Sequence, residues 1–366
     1  MSAIWTWLPR PRRPCSGGRR HGSWGWARGG SAMRPGARRL ALRVACLMGL
    51  ASAATAQETP RDILDAAKGE GKVTIYGSTE SEIMQAVQQS FEAKYGIKTE
   101  YWRASSTKVM DRVLTETRAG KPLFDVVLTN ATPMKILKGD GVFARYEPAT
   151  GARVQPSDVL SPPYRVVVVG VLYNTRLLRA DEAPKTLKDL LHPKWKGKIT
   201  MPDPTRHSTT MTWLVNLQKL LSRDWKPFLE GLAAQKPIMV ESFIPAARKV
   251  IGGEALLGIS YLKYVYVMGT REGAPIDYAR LNPALADAHH VAVGAKAANP
   301  NAARLFANYL ISPDGLKVLA SEGEFVLARG LYPPIKDAEK LEITIMDDLT
   351  DVDLKKWRGE FKKIFF

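Results

Sequence analysis

Arg206, His207 and three consecutive hydroxyls, Ser208, Thr209 and Thr210, fall in one stretch, Asp203-Pro204-Thr205-Arg206-His207-Ser208-Thr209-Thr210. The stretch directly follows a short strand expected over 198–201 and opens a helix near 208–221. Free backbone N–H groups at a helix start carry partial positive charge, and a guanidinium fork beside them completes the chemistry of an anion site. A hydroxyl-capped helix start with a surface Arg is the alternative reading of the same residues. Small polar groups recur at other expected strand ends. They are Ser78, Thr79 and Glu80, then Ser105 and Ser106, Thr129 and Asn130, Glu241 and Ser242, and finally Tyr261. Several strand ends carrying such side chains at once predict a binding rim.

The elements that would position these residues alternate. A strand over 73–76 leads to a helix ending near 95, with Ile83, Val87 and Phe91 on one stripe and Gly96 as its stop. Strands over 97–102 and 124–128 flank a helix that buries Val109, Met110, Val113 and Leu114 and stops at Gly120. Such strand–helix units imply a mainly parallel sheet with helices on both faces, whose ligands sit at the carboxyl ends of the strands. The run YRVVVVGVLYN at 164–174 is apolar on both faces and reads as a strand crossing to a second lobe. That lobe repeats the alternation: a short amphipathic helix with Leu187, Leu190 and Leu191, the strand at 198–201, helices near 208–221 and 224–233, a strand over 237–240, a helix over 243–251 and a strand over 255–260. A strand at 291–294 crosses back, with His289 and His290 at its start as a packed or solvated pair. A helix capped by Asn299 and Pro300 follows, and the last helix, 353–366, carries Leu354, Trp357, Phe361 and Ile364 on one stripe.

Charge and cysteine usage narrow the function classes. The 366 residues carry a formal charge of +17. Residues 1–56 hold ten of the arginines and no acidic residue, which leaves +7 on the following 310. That surplus argues mild anion attraction rather than nucleic-acid binding. Both cysteines, Cys15 and Cys46, lie in the same leader, so 57–366 has no disulfide, thiolate metal site or Cys nucleophile. Residues 1–32, rich in Arg, Gly, Pro and Trp, are read as an over-extended or disordered leader with Met33 as the true start. Arg34, Arg38, Arg39 and Arg43, then the apolar run 44–50 and Ala54-Thr55-Ala56, form a cleavable signal peptide over 33–56. The apolar run is too short to span a bilayer, so the processed protein is expected in the periplasm without membrane insertion.

In this order, VTIYGSTE at 73–80, LKDLLHPKWKGKITMPDP at 187–204, NPNAARLFANYLISPDGLKVL at 299–319 and KKWRGEFKKIF at 355–365 resemble the periplasmic solute-binding proteins of ABC importers, in their ferric-iron-type branch. The resemblance spans 57–366. It implies an α/β, two-lobe, type II periplasmic-binding-protein fold that closes on a ligand in the cleft between lobes. Its partners would be a membrane permease and a cytoplasmic ATPase. The expected division is a first lobe over 57–165, a second over 166–290, a return segment of the first over 291–330, and a C-terminal segment, 331–366, packing on the second. A monomer is expected. Ferric members use two adjacent tyrosines at the end of a second-lobe strand, and many place a His after the first strand. Here the first position resembles Ser260-Tyr261-Leu262-Lys263-Tyr264 and the second Gly77-Ser78-Thr79.

Two cargo readings follow. In the first, favoured one, a small carboxylate or phosphonate is held by Arg206, His207, Ser208, Thr209 and Ser242 from the second lobe. Ser78, Thr79, Ser105, Ser106 and Asn130 close from the first. In the second, Fe³⁺ is bound with a co-bound anion through Tyr261 and a carboxylate, Glu80 or Glu241, since a hard cation wants phenolate and carboxylate oxygens. Iron would then be cargo, and no resident cofactor is expected. An exported hydrolase is the reading of a different class. Residues 57–366 contain four histidines and no HExxH, G-x-S-x-G or P-loop pattern.

Overall fold

Helix α1 (Arg61–Glu70) opens the part of the chain placed by the computed structural model, which describes residues 61–145 and 160–366. The first run continues through β1 (Lys72–Gly77), α2 (Ser81–Tyr95), β2 (Lys98–Arg103), α3 (Ser106–Arg118), β3 (Val126–Asn130) and α4 (Ala131–Gly139). Strand β4 (Pro163–Asn174) crosses to a second run, β5 (Ile199–Pro202), α5 (Ser208–Asn216), α6 (Gln218–Leu221), α7 (Trp225–Ala234), β6 (Ile238–Val240), α8 (Phe243–Ile251), β7 (Leu257–Tyr261) and β8 (Ile276–Tyr278). Strand β9 (Ala284–Val293) returns, followed by α9 (Pro300–Leu310), α10 (Pro313–Ser321), β10 (Phe325–Val326), β11 (Ile343–Ile345) and α11 (Asp351–Phe365). The expected leader and signal peptide lie outside the described residues.

The strands pair in the order β2-β1-β3-β9-β4-β7-β5-β6. Within β2-β1-β3 and within β7-β5-β6 the pairing is parallel, as strand–helix–strand connections require. The crossing strands β9 and β4 are antiparallel to each other and to the outer strand each one meets. Two parallel half-sheets are therefore joined through an antiparallel pair.

Burial divides along the same line. Side chains of β1 and β3 pack with α1, α2, α9 and α10 on one face and with α3 and α4 on the other. A separate and larger core gathers β5, β7, α5, α7 and α8 with Phe361 of α11. Strand β4 leaves the first core after Tyr164 and joins the second at Val166, while β9 leaves the second after Ala288 and joins the first at Val291. Arg165 and His289, paired in register, occupy the changeover on the two strands. These are two lobes joined through β4 and β9.

Local chemistry explains most boundaries. Gly96 ends α2 with φ of 71°, a left-handed turn that glycine adopts freely, and its N–H bonds to Glu92 O at 2.8 Å. Thr350 and Asp353 form a reciprocal capping box at α11, which lays Trp357 against Trp225 at 5.4 Å. Burying Phe361 completely beside Trp357 contributes about 2 kcal/mol. Four expectations need correction. The strand expected over 124–128 runs over Val126–Asn130, and α4 follows it directly, although Pro133 in its first turn reads as a breaker. The return strand begins at Ala284 rather than 291, because ten residues of ladder with β4 and β3 outweigh the low strand propensity of Ala and Asp. The helix near 187–191 is a 3₁₀ turn, and the one over 208–221 breaks at Leu217. Among the described residues no helix is long and apolar enough to cross a membrane.

Candidate functional site

Where the two cores part, the chain buries charge. Arg165, on β4, is 1% exposed, and its guanidinium is satisfied from several sides. Nη1 donates to Glu324 Oε2 at 2.7 Å and to the Tyr261 hydroxyl at 3.3 Å. Nη2 donates to Thr79 Oγ1 at 3.2 Å and to His289 Nδ1 at 3.1 Å. Arg offers donors only, so His289 accepts through an unprotonated Nδ1. Burial, with Arg165 beside it, pushes the His289 pKa well below its usual value and keeps the ring neutral. Thr79 Oγ1 also meets the Tyr164 hydroxyl at 3.0 Å, and the Tyr101 hydroxyl donates to Thr79 O at 2.6 Å.

Lys263, just after β7, extends this network to the other lobe. Its Nζ lies 2.9 Å from Glu324 Oε1 and 2.8 Å from Glu80 Oε2, with Lys263 1% exposed. Glu324 is fully buried and takes Arg165, Lys263 and the Tyr261 hydroxyl as donors. Glu80, the N-cap of α2, has Lys263 as its one ion-pair partner among the described residues. Burial pushes the Glu80 carboxyl up, but Lys263, then Arg165, outweigh it and hold the pKa at about 2. Burial, and then the Glu324 carboxylate, push the Tyr261 pKa well above its ordinary value, so the phenol keeps its proton.

A second chain of hydrogen bonds spans the lobes nearby. Ser78 Oγ donates to Thr129 Oγ1 at 3.4 Å, and Thr129 Oγ1 to Asn130 Oδ1 at 3.3 Å. Asn130 Nδ2 donates to Asp287 Oδ2 at 3.0 Å, and Thr209 Oγ1 donates to the same oxygen at 3.1 Å. Asn130 belongs to β3, Thr209 to α5 and Asp287 to β9, so one carboxylate on a crossing strand bridges both lobes. Burial raises the Asp287 pKa to about 6, although the bonds from Asn130 and Thr209 oppose the shift.

Six of the expected site residues thus enter the two networks: Ser78, Thr79, Glu80, Asn130, Thr209 and Tyr261. The others stand apart from these bonds. His207 caps α5, its Nδ1 accepting from Thr210 N at 3.2 Å, and its ring lies 4.6 Å from Phe243. Burial lowers its pKa to about 4, which leaves it neutral. Ser105 caps α3, Ser106 and Ser208 are first residues of α3 and α5, and Ser242 is the half-buried N-cap of α8. Glu241 and Arg206 are exposed. Arg206 lines an outer groove with Asp203, Thr205, Arg358, Lys362 and Phe366. Among the described residues no group of three or more His, Cys, Asp or Glu side chains is placed to hold a metal ion.

Sequence reasoning missed Arg165, Lys263, Glu324 and Asp287. The available signal was one charge inside an apolar run, as in YRVVVV or SYLKYVY, because an ionised group buried among apolar side chains requires a partner.

The model of the bacterial extracellular solute-binding protein family matches residues 73–323. A Fe(3+)-binding periplasmic protein of Serratia marcescens is 23% identical over 318 residues, covering 80% of this chain and 92% of its own length. Iron-bound HitA from Pseudomonas aeruginosa superposes with a TM-score of 0.67 at 20% identity, over 81% of this chain and 99% of HitA. AfuA from Actinobacillus pleuropneumoniae, solved with fructose-6-phosphate, gives 0.62 at 23% identity, over 81% and 96%.

Proposed function

The chain belongs to the bacterial extracellular solute-binding protein family, and from that premise we propose that it captures a small anionic solute, a carboxylate or phosphonate, by lobe closure and delivers it to the permease of an ABC importer. Similar proteins carry names that range from iron to a sugar phosphate, so membership alone does not select the cargo.

The observation that supports an anion is the Lys263–Glu80 pair. Of the two carboxylates on Lys263, Glu324 has two further donors and is fixed, whereas Glu80 has one ion-pair partner among the described residues and belongs to the opposite lobe. Opening the lobes carries Glu80 away and leaves the Lys263 ammonium with vacant donor capacity. A solute carboxylate or phosphonate takes that place, since a charge-assisted hydrogen bond in a low-dielectric crevice is worth more than one in water. Ser78 and Thr79 from the first lobe and Thr209 from the second are the hydroxyls assigned to the remaining oxygens. The solute, seated on Lys263 in place of Glu80, favours closure through the first-lobe hydroxyls that only the closed state brings to it. A ferric reading would need Tyr261 as phenolate, and its hydroxyl instead donates to Glu324.

The test is a thermal-shift and native mass-spectrometry panel of small carboxylates, phosphonates and ferric citrate. A stabilising anion whose effect disappears in Lys263→Met is the expected result. A visible phenolate-to-iron band that is lost in Tyr261→Phe would replace the anion reading with the ferric one.

A further inference from the structure

Arg206 is exposed in a groove that lies apart from both buried networks. Arg358 and Lys362, one turn apart on α11, face it across a shallow opening of about 600 Å³. Arg358 Nε donates to Thr205 O at 3.1 Å, which ties α11 to the 203–207 loop. None of the ion pairs among the described residues engages Arg206, Arg358 or Lys362. The single acid of the groove, Asp203, turns Oδ1 inward to Thr205 N at 2.8 Å and Thr205 Oγ1 at 2.6 Å. Three cations therefore share one surface, with two of them in the mutually repelling i,i+4 arrangement. Phe366, 68% exposed, adds an apolar edge.

We propose that this groove docks an acidic segment of another protein. Charge complementarity selects the partner, because several carboxylates on one strand of chain would meet Arg206, Arg358 and Lys362 together and relieve their repulsion. The opening is many times the volume of one small oxyanion, which matches an extended segment. Arg206 lies three residues from Thr209, whose hydroxyl reaches Asp287 between the lobes, so the docking surface adjoins a closure contact. None of this depends on which solute the cleft accepts.

Fluorescence anisotropy with a labelled, capped octaglutamate peptide at low and high salt tests the proposal on the chain lacking residues 1–56. Binding should be salt-sensitive and about tenfold weaker in Arg206→Glu/Arg358→Glu/Lys362→Glu. A control of equal charge change on other exposed cations, Lys68→Glu/Lys121→Glu/Arg304→Glu, should move it less than about twofold. Equal loss in both triples would reduce the effect to net charge and overturn the proposal. So would displacement of the peptide by low millimolar inorganic phosphate, which would mark a small-anion site. Binding of phosphatidylglycerol vesicles that the groove triple abolishes, with no peptide binding, would assign the face to a membrane instead. Unchanged circular dichroism and melting of both triples establish that the variants are folded.

Discussion

Lys263 Nζ and Glu80 Oε2 lie 2.8 Å apart, and the pair ties the residue after β7 in one lobe to the N-cap of α2 in the other. The two partners are not equally committed. Lys263 retains Glu324 if Glu80 is lost, whereas removing Lys263 strands Glu80 and takes one donor from a fully buried Glu324.

Lys263→Met should therefore destabilise by about 3 kcal/mol and Glu80→Gln by about 1 kcal/mol, read from urea midpoints at neutral pH. The Glu80 carboxyl falls from its ordinary 4.5 to about 2 on folding, so its contribution is complete above pH 4.5 and disappears as pH falls through 2. The gap between wild type and Glu80→Gln should shrink over that window. A gap constant down to pH 2 would show that the pair contributes nothing through charge.

Asp287 carries the opposite sign. Its carboxyl rises from 3.8 to about 6, so the folded state holds a proton that the unfolded chain has released. Stability should fall as pH rises between 4 and 6, by an amount of the order of 3 kcal/mol for the shift alone. Asp287→Asn removes the titration and should flatten that slope while keeping an oxygen acceptor for Asn130 and Thr209. An unchanged slope in Asp287→Asn would assign it to another group.

The alternation of strands and helices was legible because stripes such as Ile83, Val87 and Phe91 bury one face of one helix, a local property. The first part of strand β9 was not, because Ala-Leu-Ala-Asp-Ala-His-His has little strand preference of its own and is held by partners far along the chain. The site divides in the same way. Thr79, Glu80, Asn130 and Thr209 were readable as polar groups at strand ends and helix starts. Glu324 meets Arg165 across 159 residues and Lys263 across 61, so neither pairing leaves a local trace. Arg206 was readable as anion chemistry, but its surroundings are set by α11, which reaches its loop from 153 residues away.

The ISPDG segment makes a separate prediction. Ser312 caps α10 by accepting from Gly315 N at 3.3 Å, and Pro313 starts the helix. A Cβ at Gly315 would press into the backbone oxygen of Tyr309, which cannot rotate away as a side chain would. Gly315→Ala should cost about 2 to 3 kcal/mol, whereas Gly139→Ala, with open space at its Cβ, should change stability by less than about 1 kcal/mol. Parallel thermal melts compare the two. A neutral Gly315→Ala would mean that α9 and α10 separate easily.

The Arg165–Glu324 pair gives the sharpest test of how the changeover between the two cores is held. Both side chains are essentially inaccessible, so their desolvation is offset by each other, by Lys263 on Glu324 and by neighbouring hydrogen bonds. Glu324→Gln leaves Arg165 with the neutral acceptors Thr79, His289 and Tyr261, and takes the buried carboxylate from Lys263, so it should cost about 3 to 5 kcal/mol. Tyr261→Phe removes one donor to a carboxylate that keeps two cations, and should cost about 1 kcal/mol. The three groups share one network, so the double variant should fall short of the sum by at least 0.5 kcal/mol. Additive losses in a double-mutant cycle would show that Tyr261 and Glu324 act independently despite their contact.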